Sequence, residues 1–74
     1  MADPSAREPH AALEAAELYA AIAELPDAYR DVLVAVDVAG LAYKEAARSL
    51  RIAEGTVMSR LYRARQQVMR RLNG

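Results

Sequence analysis

Downstream of Glu54 the chain places Ser59, Tyr62, Arg63, Gln66 and Arg70 at spacings that fall on one arc of a helix, at about 100° per residue. The arc carries a hydroxyl, a phenol, an amide and two guanidinium groups, which is the chemistry needed to read base edges in a DNA groove. The fork of Arg63 matches O6 and N7 of a guanine, and the Ser59 hydroxyl reaches a base or a phosphate. Tyr62 packs on a thymine methyl or a sugar, or else forms a half-buried edge of the core. A merely solvated face normally mixes acids with bases, and no acid follows Glu54. Just upstream, Gly55 and Thr56 in a first helical turn allow the helix N-terminus to approach a phosphate. Lys44, Arg48 and Arg60 are spaced for backbone phosphates, which position a reading helix without specifying sequence. Arg65 and Arg71 sit beside the apolar flank and are expected to pair with acids of the first two helices.

Other chemistries find little support. There are no cysteines, which excludes disulfides and thiolate metal sites, and the one histidine, His10, has no second histidine or acidic cluster beside it. No catalytic residue, metal or cofactor is expected, since no nucleophile has a base in reach and no phosphate loop or dinucleotide fingerprint occurs. No small-molecule substrate and no membrane association are expected either, because no apolar run nears a bilayer span and no signal peptide is evident. The expected compartment is the cytoplasm.

The formal net charge is +0. Residues 1–45 nevertheless hold nine acids against three bases, and residues 46–74 hold seven arginines against Glu54 alone. Such polarity means either two surfaces for two kinds of partner, the basic one facing a polyanion, or two faces that attract each other within the fold.

Four helices are needed to position these groups. Residues 1–10 read as a disordered leader and residues 11–74 as one domain. From about Ala11, Ala15, Leu18, Ile22 and Leu25 form one apolar stripe. Pro26 suits the first position of a second helix, with Tyr29, Val32, Leu33 and Val36 inward. Val34 and Val38 recur on a different face, and are either buried by the first and last helices or, with Leu41 beyond them, form a docking surface for a protein partner. Gly40 ends that helix in the left-handed conformation. A third helix runs from about Tyr43 to Leu50, with Ala46, Ala47 and Leu50 inward. Arg51, Ile52 and Ala53 are too few for a structured loop, so the next helix must turn sharply with Ile52 plugged beneath it. The fourth runs from about Glu54 to Leu72, burying Val57, Leu61, Ala64, Val68 and Leu72. The fold class is therefore all-α, a four-helix domain with a C-terminal helix-turn-helix and no wing.

Three segments together carry a family likeness. They are Leu25-Pro26 followed by Arg30; Gly40-Leu41-Ala42-Tyr43-Lys44-Glu45-Ala46-Ala47; and Gly55-Thr56-Val57-Met58-Ser59-Arg60-Leu61-Tyr62-Arg63-Ala64-Arg65. The chain from about Leu13 to Leu72 resembles domain 4 of the bacterial extracytoplasmic-function sigma factors. Response-regulator output domains share the helix-3 pattern but not the S-R-L-x-R-A-R continuation. The resemblance implies that the last helix enters the major groove of the promoter −35 element, often GGAAC-like in this family. It implies base and nearby backbone contacts from Met58, Ser59, Tyr62 and Arg63, and phosphate contacts from Thr56 and the surrounding basic residues. It also implies docking on the β flap of RNA polymerase and, in many members, sequestration by an anti-sigma factor. A protein-interaction module is thus the second reading.

Three positions depart from the family pattern: Ala42 stands where many members have a capping Ser, Arg51 where they have a turn Gly, and Met58 where some have a base. The domain that opens the −10 element has no counterpart in these residues, so the chain is read as a fragment.

Overall fold

The computed structural model describes residues 9–74, with side chains from Glu14 onward. Of the leader expected over residues 1–10, residues 1–8 and the side chain of His10 lie outside the described residues, while the backbone of Pro9 and His10 is helical rather than disordered. The first helix, α1, spans Pro9–Ala23; it begins two residues before the expected Ala11. α2 spans Asp27–Leu33 and continues without a break into a π-helical segment, Val34–Val38. α3 spans Tyr43–Leu50 and α4 spans Glu54–Asn73. Every element among the described residues is helical, as the apolar spacing predicts. None is long and apolar enough to cross a membrane.

The α1–α2 corner is built around Pro26. It sits at the N-cap, with φ −54 and ψ 147, rather than at the first helical position expected for it, which Asp27 takes. Its carbonyl accepts the first bonds of α2, from the N–H of Tyr29 at 3.0 Å and of Arg30 at 2.9 Å, while its missing N–H costs the helix nothing. Arg30 locks the corner from outside, donating to the Leu25 carbonyl at 3.3 Å and to Asp27 Oδ1 at 2.6 Å.

Two apolar clusters hold the helices together, and α4 belongs to both. Ala21, Ile22 and Leu25 of the α1 region meet Val32 and Leu33 of α2 and Leu61, Ala64 and Val68 of α4. Ala46 and Ala47 of α3 meet Val57 of α4 in the second cluster. Val36 and Ile52 pack against both, which puts Ile52 where the short α3–α4 break requires it. The two alanines of α3 let the α4 backbone come close at the crossing, since a side chain without a γ atom leaves no ridge to clear. Among the expected core positions, Leu72 and Leu18 stay on the surface, at 41% and 39% exposure. Leu72, in the last turn of α4, opens with Ala15 and Leu18 of α1 onto a shared surface pocket rather than closing against them, and Ala15 is likewise exposed.

The π-helical segment decides the fate of the second apolar face. The N–H of Ala39 reaches back to the Val34 carbonyl at 2.8 Å and that of Leu41 to Ala35 at 3.0 Å. These wide turns rotate the following side chains relative to an α-helix. Val34 and Val38 are left 39% and 50% exposed, so α1 and α4 do not bury them. Leu41 is half-buried instead, against the α3 cluster. Gly40 closes the segment at φ 77, a left-handed geometry that suits a residue without Cβ.

At the other end of α3 the left-handed residue is Arg51, with φ 59 and ψ 45. The N–H of Ile52 bonds the Ala47 carbonyl at 3.0 Å and that of Arg51 bonds Arg48 at 3.3 Å, which is the Schellman closure of a helix. A side chain in that conformation costs about 1 to 2 kcal/mol relative to the right-handed region.

Exchange of Leu61, which is 1% exposed, for Ala should remove about 2 to 5 kcal/mol of stability. A domain this small has little more than that in total, so thermal melting should show the variant largely unfolded near 37 °C. Val38→Asp should stay within about 0.5 kcal/mol of the parent in the same assay.

Candidate nucleic-acid interface

α3 and α4, joined at a sharp corner with Ile52 beneath, form a helix-turn-helix. The start of α4 has no side-chain cap: Ala53 is extended at φ −69 and ψ 150, and its carbonyl accepts from Thr56 at 3.0 Å and Val57 at 3.1 Å. As at any helix start, the first N–H groups have no intrahelical acceptor and carry the positive end of the dipole. A Cβ built on Gly55 would meet nothing within 4 Å. The protein's own packing therefore leaves room for a side chain at Gly55, and the bare backbone there is presented to whatever approaches from outside.

The N-terminus of α3 is capped by half of a reciprocal pair. Ala42 has no side-chain oxygen to offer, but Glu45 Oε1 accepts from the Ala42 N–H at 2.9 Å, so one orphan donor is satisfied despite the departure from Ser.

Burial of Val57, Leu61, Ala64 and Val68 turns the opposite side of α4 outward. Met58, Ser59, Tyr62 and Arg63 are all exposed on it, with Tyr62 at 64%. That exposure removes the alternative of Tyr62 as a half-buried core edge. Its phenol oxygen accepts from Gln66 Nε2 at 3.1 Å, a bond one helical turn long that holds the ring along the helix. Ser59 Oγ donates back to the Thr56 carbonyl at 3.3 Å, which leaves its lone pairs facing solvent. Thr56 and Arg60 are half-buried at the rim, and Lys44 and Arg48 are exposed on α3. Sequence reasoning misses the Tyr62–Gln66 bond, although its i to i+4 spacing permits it.

The five arginines of α4 are sorted by partner. Arg65 donates through Nε to Asp37 Oδ2 at 2.9 Å and through Nη2 to Asp37 Oδ1 at 2.6 Å. Arg71 holds Glu24 in the same two-bond manner, at 2.8 and 3.0 Å. Both pairings agree with their place beside the apolar flank. The hydrogen bond to Asp37, with its charge and the nearby Tyr43, raises the Arg65 pKa, and Glu24 does the same for Arg71. Arg60, Arg63 and Arg70 make no ion pair with any described residue. The acids of the first half thus neutralise two arginines on the flank and leave the outward face of α4 purely basic.

A helix-turn-helix whose second helix shows an acid-free face of Ser, Tyr, Gln and Arg beside an open helix N-terminus defines a DNA-binding domain of the helix-turn-helix class. Comparison with known proteins specifies it further: residues 15–68 match the family model for sigma-70, region 4, and the chain belongs to that family. It is also 43% identical over 53 residues to the ECF RNA polymerase sigma factor SigE of Mycolicibacterium smegmatis. That alignment takes in 72% of this chain and 21% of the relative, so the chain corresponds to about a fifth of the relative's length. Family membership decides against a response-regulator-type output domain.

The Glu24–Arg71 pair predicts a pH effect. The hydrogen bond from Arg71 and then its charge hold the Glu24 carboxyl below its usual value. A carboxyl with a lowered folded-state pKa stabilises the fold above its unfolded pKa, and that gain disappears as pH falls through the lowered value. Both side chains are 58% exposed, so the effect is small and salt-sensitive. Melting of the chain and of Glu24→Gln should differ slightly at pH 7 in low salt and converge below the ordinary carboxylate range.

Proposed function

We propose that this chain recognises the promoter −35 element as the DNA-reading domain of a sigma factor of the extracytoplasmic-function type. The observation that carries the reading is the exposed, acid-free face of α4, with Met58, Ser59, Tyr62 and Arg63 outward and Arg63 in no ion pair with a described residue. In this reading the guanidinium of Arg63 grips a guanine edge, Ser59 and Tyr62 contact neighbouring bases, and Met58 adds an apolar contact. Thr56, at the helix start, and Lys44, Arg48 and Arg60 hold phosphates and fix the register of α4 in the major groove. Gly55 lets the backbone approach a phosphate oxygen, which its unobstructed surroundings support. No bond-making chemistry is involved; the domain contributes binding free energy and places the remainder of a sigma factor on its promoter.

Fluorescence anisotropy tests this on a duplex containing GGAAC and on a scrambled one. The chain should prefer the first, and Arg63→Ala should lose about 1 to 3 kcal/mol on it with little change in melting. Equal affinity for both duplexes, unaffected by the substitution, would remove base readout by α4.

A second reading, as a protein-docking module, is supported by a separate feature. A groove of about 490 Å³ lies between α1, the π-helical segment and α4, lined by Leu18, Tyr19, Ile22, Val38, Val68 and Met69, with Asp37 and Arg65 in its wall. Val38 is half exposed at its edge, and Val34 is exposed one turn before it. Such a surface suits an amphipathic segment of the polymerase β flap or of an anti-sigma factor. Leu41 does not line this groove and packs instead against the α3 cluster. Val38→Asp, which should spare both fold and DNA affinity, should weaken binding of a purified β-flap domain at least tenfold by calorimetry; an unchanged affinity would rule the groove out as the flap site.

A further inference from the structure

We propose that Arg51, in the turn between α3 and α4, is a phosphate-gripping residue of this helix-turn-helix, a role that rests on the DNA-binding reading above and extends it to a position outside the family pattern. Arg51 is the one non-glycine residue with positive φ among the described residues. Its geometry, φ 59 and ψ 45 within a Schellman closure, is a glycine position: any side chain there works against the fold. The chain nevertheless places a long cation at it. Within the molecule that cation returns nothing. It is exposed, and it makes no ion pair or side-chain hydrogen bond with any described residue.

The contrast with the other arginines is informative. Arg30, Arg65 and Arg71 each hold a carboxylate of the fold. Glu45, an acid of the adjacent helix, is already engaged with the Ala42 N–H. A strained backbone kept for a side chain that adds no internal contact points to a contact outside the molecule.

Location agrees with this. Arg51 lies three residues before Glu54, the first residue of α4. A helix-turn-helix docks with the N-terminal residues of its second helix on base edges while its first helix crosses the backbone. The turn between the helices is then carried along the rim of the groove, where a guanidinium meets phosphate oxygens. Together with Lys44 and Arg48 on α3 and Arg60 on α4, Arg51 extends the run of cations across the junction.

The test compares the chain with Arg51→Gly and Arg51→Lys, by melting and by anisotropy on GGAAC and scrambled duplexes over a salt series, at a temperature where all three are folded. Arg51→Gly should melt a few degrees higher, because the strain is relieved. It should nevertheless bind both duplexes more weakly by the same factor, roughly three- to tenfold near 0.1 M salt, with a log–log salt slope shallower by about 0.9. Arg51→Lys should keep the slope. A gain in stability for Arg51→Gly without any change in affinity or slope would overturn the proposal and leave the −35 reading standing. A parent chain with no preference for GGAAC, whose slope still falls in Arg51→Gly, would overturn base readout and uphold the phosphate contact.

Discussion

Packing of Val57, Leu61, Ala64 and Val68 against the other three helices is the contact on which the molecule depends. α2 and α3 have seven and eight residues, too few to be helical by themselves in water. They are helices because each docks an apolar stripe on α4. The same burial orients α4 for function: once one side of a helix is committed to the core, the opposite side is committed to solvent or to a ligand. Core packing and the presentation of Ser59, Tyr62 and Arg63 are therefore one constraint seen from two sides. Held by both clusters, α4 is also pre-ordered, so a ligand on its outer face need not supply the cost of folding it.

Charge is distributed by the same geometry. The zero net charge conceals an acidic first half and a basic second half, and the fold brings only part of each together. Asp37 and Glu24 take Arg65 and Arg71 at the flanks of α4. Exposed pairs of this kind stabilise little. Their larger consequence is electrostatic sorting, which withdraws two arginines from the outer face and keeps acids away from it. What remains facing outward is a basic surface with no internal competitor, among the described residues, for a phosphate or a guanine.

The two ends of α3 show how local departures are absorbed. Ala42 offers no cap, and Glu45 supplies half of one from the other side. Arg51 occupies a left-handed position that nothing in the fold requires to be arginine. The π-helical segment has a different character: it rotates Asp37 toward Arg65 and leaves Val34 and Val38 on the surface beside the groove. A straight α-helix through the same residues would aim those side chains differently, so the segment couples a flank ion pair to the apolar groove beside α1. Such segments are rare in helices and recur at functional sites.

Much of this was determined by the sequence alone, because helical periodicity and residue chemistry are local. The apolar spacing of α3 and α4, the breaks at Pro26, Gly40 and Arg51, and the acid-free arc after Glu54 are all properties of neighbours three or four residues apart, and the helices, the turn and the exposed, acid-free face of α4 follow from them. Tertiary structure decided what depends on partners far along the chain. Nothing local says that Leu72 and Leu18 stay on the surface around an open pocket, that Tyr62 stands out from the core, or that Asp37 rather than another acid takes Arg65, 28 positions away. The α-to-π switch at Val34 is likewise invisible to periodicity, since the same valines suit either helix. It fixes which face they show because Ala35, Val36 and Leu41 around it are packed against the cluster of α3 and α4, contacts made with residues distant in the chain.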